Sequence, residues 1–264
     1  MRNEELGIST HPPDPSPILD SGYSILQPAL AGLPPFEFLH LVFGPLEIRN
    51  SHLSAGVDIG GGITLENVKD ELLHFWFGDD QDDAAVAKAQ AELWWGHRAE
   101  IDEMLQANFG AAASAAAANV LDHWTGSPRG RLALILLLDQ LPRSIHRATP
   151  AAFAQDARAR VVAGQGLDSG ADLLLRPIER LFFYLPFEHS EDLVDQDRSV
   201  GLYGELLMAV PTVHRETFSS FLDFAVKHRD VIRQFGRFPH RNQILGREST
   251  PEEKTFLEQP GSSF

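Results

Sequence analysis

The chain has no cysteine, so disulfides, thiolate zinc sites and cysteine nucleophiles are all excluded. It has no long apolar run: the longest strong one, Leu132 to Leu138, is seven residues, far short of the roughly 20 needed to span a bilayer. Positive charge is scarce. Against 37 Asp and Glu stand 22 Lys and Arg, a formal net charge of −15 with a pI near 5.1, which argues against general nucleic-acid binding. The start, Met1-Arg2-Asn3-Glu4-Glu5, lacks a basic region followed by an apolar one and does not read as a signal peptide. The turn signals that announce β-hairpins are missing as well. These absences predict a cytoplasmic protein with neither a membrane nor a nucleic acid as partner. Its 264 residues, 43% hydrophobic, suffice to bury a real core.

The texture changes near residue 66. Before it, prolines are dense (Pro12, Pro13, Pro15, Pro17, Pro28, Pro34, Pro35, Pro45) and glycines cluster at Gly60-Gly61-Gly62. No period lasts, so 1–66 is expected to be a poorly ordered extension with one short apolar element, Phe36 to Phe43. Val57-Asp58-Ile59-Gly60-Gly61-Gly62 resembles a phosphate loop faintly, lacks the Lys-Ser/Thr ending, and reads as a flexible linker.

Residues 67–264 read as one all-α domain. Leu65, Val68, Leu72, Phe75 and Trp76 recur at three- and four-residue steps, with Gly78 placed to end a helix. Helices follow over Ala84–Trp95, around Ile101–Phe109 and over Ala111–Ala118. The segment Arg131 to Leu141 is apolar all round and low in β-branched residues, which favours a central helix over a buried strand, with Pro142 expected to stop it. Thr149-Pro150 is expected to cap the next helix. Pro177 opens another that Pro186 closes, and Ser190 is expected to cap a helix running to Pro211. The last long helix spans Thr212 to Phe235 and ends at Gly236, and Thr250-Pro251-Glu252-Glu253 opens a short final one. Antiparallel helix pairs are the expected architecture.

Six ordered segments are distinctive together: Phe75-Trp76-Phe77-Gly78; Leu138-Asp139-Gln140-Leu141-Pro142-Arg143; Glu179 through Pro186; His189-Ser190-Glu191-Asp192-Leu193 with Asp195-Gln196; His228-Arg229-Asp230 followed by Phe235 through Asn242; and the close, Ser249 through Glu253 with Pro260 through Phe264. With them the chain resembles, over about Val68 to Phe264, the bacterial family catalogued as domain of unknown function 924. The resemblance implies a tetratricopeptide-like helical stack and no activity. Leu141 and Ser144-Ile145-His146 depart from the Phe and Asn-Ile-Phe usual there, which sets the surroundings of Arg143 apart.

The chemistry is concentrated in Lys227 to Arg247. Six Lys and Arg stand there against one acid, Asp230, with His228 and His240. Ordinary helix termination accounts for some of this, because basic side chains suit a helix C-terminus. Arg237, His240, Arg241 and Asn242 nevertheless place fork-shaped and amide donors within six residues, an efficient grip for a carboxylate or phosphate. Asp139 and Arg143, four apart on the most apolar helix, must be paired if buried. His189 and Asp192 could meet a cation, but no second histidine lies at helical spacing, and no metal or cofactor is assigned.

Two functions remain open. In the first, Arg143, Arg237, Arg241 and His240 contact an anionic small molecule or an acidic peptide end, supported by Asn242, His189 and Asp139. In the second, an enzyme acts on a small phosphate- or carboxylate-bearing substrate, with His240 or His228 as general base and Asp192 or Glu191 orienting it. Both require the C-terminal segment and the acidic helix start near residue 190 to face each other across a hollow.

Overall fold

The computed structural model describes residues 65–262, with side chains from 67 onward; the Phe36–Phe43 element, the glycine linker and the rest of the N-terminal extension lie outside it. The described residues are all-α, with no strand among them. In chain order the helices are α1 (Leu65–Phe77), α2 (Asp83–Trp95), α3 (Ala99–Ala117), α4 (Pro128–Ile135), α5 (Leu141–Ile145), α6 (Asp156–Asp168), α7 (Pro177–Glu188), α8 (Leu193–Ala209), α9 (Arg215–Phe235) and α10 (Pro251–Leu257). Short connections, several of them single 3₁₀ turns, fold consecutive helices back on one another, and α8 packs along both α7 and α9.

Local sequence sets most helix ends. Asp82 caps α2 by accepting from the backbone N–H of Ala84 and Ala85 at 2.9 and 3.0 Å, and Ser127 caps α4 with Pro128 in the first turn. Gly236 ends α9 at φ 67°, a left-handed conformation that favours glycine. Thr250 and Glu253 form a reciprocal capping box at α10.

Several expected boundaries move. Ile101–Phe109 and Ala111–Ala118 belong to one continuous helix, α3. Thr149 donates its hydroxyl to the carbonyl of His146 at 2.8 Å, so Pro150–Phe153 is only a 3₁₀ turn and α6 begins at Asp156. Ser190 does not cap α8. That role falls to Asp192, which accepts from Val194 N–H at 2.8 Å, while Ser190 donates to Asp195. Pro186 lies inside the last turn of α7 instead of closing it.

Pro142 does not stop its helix either. Leu136–Gln140 forms a π-turn, in which the N–H of Leu141 reaches back to the carbonyl of Leu136, and the chain continues as α5 through the proline. Proline cannot donate to the carbonyl four residues back and crowds it; the wider turn just before it absorbs both problems. The extra residue in the turn keeps Asp139 and Gln140 buried next to Leu136–Leu138.

The core is centred on Phe182 of α7. Its ring meets those of Trp76, Phe77 and Trp94 edge-on at 5.7, 5.4 and 4.6 Å and stacks on Trp95 at 5.9 Å. These contacts tie the ends of α1 and α2 to the middle of α7. Beyond that knot the helices diverge and leave a cavity.

Candidate functional site

The cavity has a volume of about 350 Å³, within the range of small-molecule sites. Its floor is buried: Trp76, Leu181, Leu185, Glu188, Tyr203 and His228. Its rim is partly exposed and includes Trp95, His97, Arg147, Phe153 and Phe224. Arg143, His189, His240 and Arg241 bring polar groups to it. The π-turn and α5, the C-terminal end of α7, and the 3₁₀ turn Pro239–Arg241 supply that polar end.

Asp139, fully buried, lies behind it. Its two carboxylate oxygens are each 2.9 Å from Nδ1 of His189, and it accepts from Gln140 Nε2 at 2.7 Å. Burial opposes its ionisation, but the nearby Arg143 charge and the bond to His189 hold it well below the usual carboxylate range. An ionised carboxylate can only accept, so the His189 proton sits on Nδ1, which makes Nε2 the basic nitrogen. Burial and Arg143 push His189 below its ordinary value, and the ring is neutral near pH 7.

Arg143 has carboxylates of its own. It forms a fork to Asp156 at 2.9 and 3.0 Å, donates to the carbonyl of Asp139 and lies 3.5 Å from the Asp139 carboxylate. Arg241 differs. Its guanidinium is clamped between the rings of Phe153 and Phe238 at 4.7 and 4.5 Å, and Nη1 donates to the carbonyl of His189 at 3.0 Å. The carboxylate recorded as its ion-pair partner is Asp156 at 3.6 Å, through the oxygen that already accepts from Arg143. Burial and the Arg143 charge lower its pKa to about 10.

The other titratable groups here are neutral near pH 7. Burial raises the Glu188 carboxyl to about 8, with the Asp139 charge adding to the effect. Burial keeps His228 well below its usual value; its Nδ1 donates to the carbonyl of Phe224 at 2.8 Å and lies 3.2 Å from Glu188. Burial and Arg241 drive His240 to about 3.

The structure thus brings together five of the residues singled out from sequence (Arg143, His189, His228, His240 and Arg241), with Asp139 directly behind. It does not bring the rest. Arg237 turns to Glu253, bonded at 2.6 and 2.8 Å, and Asn242 joins that pair by donating to Glu253 and Ser249. Glu191 braces the C-terminal segment by accepting from Arg247 at 2.7 and 2.9 Å and from the N–H of Phe238 at 2.8 Å. Asp192 is an exposed helix cap. The C-terminal segment and the helix start at residue 190 do face each other, but in direct ion-paired contact; the hollow is lined by His189 and Arg241 and not by Glu191 or Arg247. Sequence reading missed Asp156, Tyr203 and the phenylalanine walls Phe153, Phe221 and Phe224. In the sequence Asp156 is an ordinary helix acid, and only its partners in the fold reveal it. Among the described residues no group of three His, Asp or Glu side chains is arranged to hold a metal ion, and no helix is long and apolar enough to cross a membrane.

The model of a family described as bacterial protein of unknown function (DUF924) matches residues 72–261. The chain belongs to that family. A solved structure of a protein of unknown function from Agrobacterium tumefaciens is similar to it, with a TM-score of 0.63 and 36% identity over 74% of this chain and 99% of that one. None of the curated proteins matches. Membership of DUF924 therefore supplies the fold and no activity.

Proposed function

We propose that this DUF924 protein binds a small molecule that joins an apolar, ring-bearing body to an anionic group. One observation carries the reading: a cavity of about 350 Å³ whose walls are Trp95, Phe153, Phe221 and Phe224 and whose polar end is Arg143, His189, His240 and Arg241. An apolar enclosure with a few convergent polar groups is the usual form of a ligand site. That volume suits a small molecule better than an acidic peptide, of which only the terminal residue or two would fit. A thermal-shift screen of aromatic and aliphatic acids tests the reading. A ligand at a hundred times its Kd should stabilise by about 2.7 kcal/mol, and Ser144→Trp, which fills the cavity from its rim, should abolish the shift. Shifts that survive Ser144→Trp would place the ligand elsewhere.

A second reading, an acid–base enzyme, has its own support in the Asp139–His189 pair. A buried carboxylate that fixes the tautomer of a neutral imidazole beside a cavity is the arrangement of a general base and its orienting partner. On this reading His189, not His240 or His228, takes the proton, and Asp139, not Asp192 or Glu191, holds it. For any screen hit that is chemically altered, His189→Ala should abolish turnover while leaving affinity within about threefold, and Asp139→Asn should lower kcat about 10²-fold or more. Parallel loss of affinity and turnover would argue for binding alone.

A further inference from the structure

We propose that the polar end of the cavity selects an acid carrying a single negative charge, a carboxylate in preference to a phosphate ester, and that Arg241 is the group that receives it. The inference rests on the small-molecule reading above and narrows it to a ligand class. The starting point is charge. Two guanidinium groups, Arg143 and Arg241, are set among two carboxylates, Asp139 and Asp156, so the cluster is balanced before any ligand enters. The neighbouring His189, His228, His240 and Glu188 add no charge near pH 7, and Arg147 at the rim is matched one-to-one by Asp102 at 2.8 Å.

The balance is uneven in space, and this unevenness makes a site. Asp156 gives both oxygens to Arg143, and Asp139 is divided among Arg143, His189 and Gln140. Arg241 is left with one carbonyl, a shared carboxylate oxygen at 3.6 Å, and a buried Nε that has no hydrogen-bond partner. The rings of Phe153 and Phe238 hold its plane, so it cannot swing away to find an acceptor. A carboxylate in the cavity gives this preorganised guanidinium a counter-charge of its own and leaves the cluster with one net negative charge. A dianion adds a second negative charge, with Asp139 and Asp156 close by and no spare cation to answer it. In a desolvated site like-charge terms of that kind dominate.

The test compares three ligands of one body at pH 7.0: 3-phenylpropionate, 2-phenylethyl phosphate (mostly dianionic there, since such phosphates lose their second proton near pH 6) and neutral 3-phenylpropan-1-ol. Trp76, Trp94 and Trp95 line the cavity, so quenching of intrinsic fluorescence reports occupancy. The carboxylate should bind at least tenfold more tightly than either of the others. Arg241→Gln should erase its advantage over the alcohol without weakening the alcohol. Asp156→Asn, which removes one negative charge, should tighten the phosphate at least fivefold. A wild-type preference for the phosphate, or equal affinity for carboxylate and alcohol, overturns the proposal while the cavity still counts as a ligand site. If none of the three binds, the small-molecule reading fails and this inference with it. The wild-type ranking decides the matter even if Asp156→Asn does not fold.

Discussion

Arg237 and Arg241 are four residues apart, one just before a 3₁₀ turn and one at its end, and they meet opposite fates. Arg237 finds Glu253, a carboxylate with no other arginine on it, in a two-bond fork, and Asn242, Thr250 and the carbonyl of Glu248 complete the set. That Arg237 bond, the largest influence on it, brings Glu253 down to about 2. The clasp pins α10 to the end of α9 and has nothing left to offer. Arg241 reaches a carboxylate that is already committed to Arg143 and ends beside a cavity. The same side chain is a fastener where its counter-charge is exclusive; where it is shared, it is the receptor we propose. Counting arginines along the sequence cannot distinguish the two; counting carboxylates around each one can.

The largest expected effect breaks the cavity cluster from behind. Asp139→Ala leaves Arg143 and His189 buried without their shared acceptor and should cost about 3–5 kcal/mol in urea unfolding. Glu253→Gln, on the clasp side, should cost less, because Arg237 keeps partial access to solvent, and it should leave ligand affinity untouched. A larger loss for Glu253→Gln would reverse the ranking of the two clusters.

Next comes pH. The folded protein keeps the Glu188 proton up to about pH 8, whereas the unfolded chain releases it near 4.5, so between those values the folded state binds more protons. Stability should therefore fall as pH rises through that window and level off above it. Glu188→Gln should flatten the fall and exceed wild type in urea midpoint at pH 8.5. His240 works at the other end. Unfolded, it takes a proton below about 6.5; folded, it refuses one until about 3, so acidification across that interval destabilises. If the Glu188→Gln and wild-type midpoints fall in parallel from pH 5 to 8.5, the buried neutral carboxyl is wrong.

The smallest effect is expected at Glu191, which braces the C-terminal segment from a half-exposed position. Glu191→Gln should lower stability by about 1 kcal/mol and change affinity by less than twofold, measured by urea unfolding and by fluorescence titration. A tenfold loss of affinity would return Glu191 to the site.

The helices were largely legible because their signals are local: apolar spacing in α1 and α9, Thr250-Pro251 at a start, Gly236 at an end. Two of the misread boundaries share a cause. Pro142 and Pro186 look like stops to any local rule, yet a π-turn accommodates one and the final turn of α7 the other, and tertiary packing keeps both segments helical. The site was half legible. Arg143, His189, His228, His240 and Arg241 could be named because buried charge and clustered donors are unusual in sequence. Asp139 could be named as a partner of Arg143 but not of His189, since Glu191 and Asp192 are near His189 in sequence while Asp139, 50 residues away, is near it only in space.

The central claim is that Arg241, and not its neighbour Arg237, receives the ligand. Isothermal titration of 3-phenylpropionate into wild type, Arg241→Gln and Arg237→Gln addresses it in one experiment. At least a tenfold loss of affinity for Arg241→Gln, with Arg237→Gln within twofold of wild type, is the expected result. Equal losses in both variants, or a loss confined to Arg237→Gln, would contradict it.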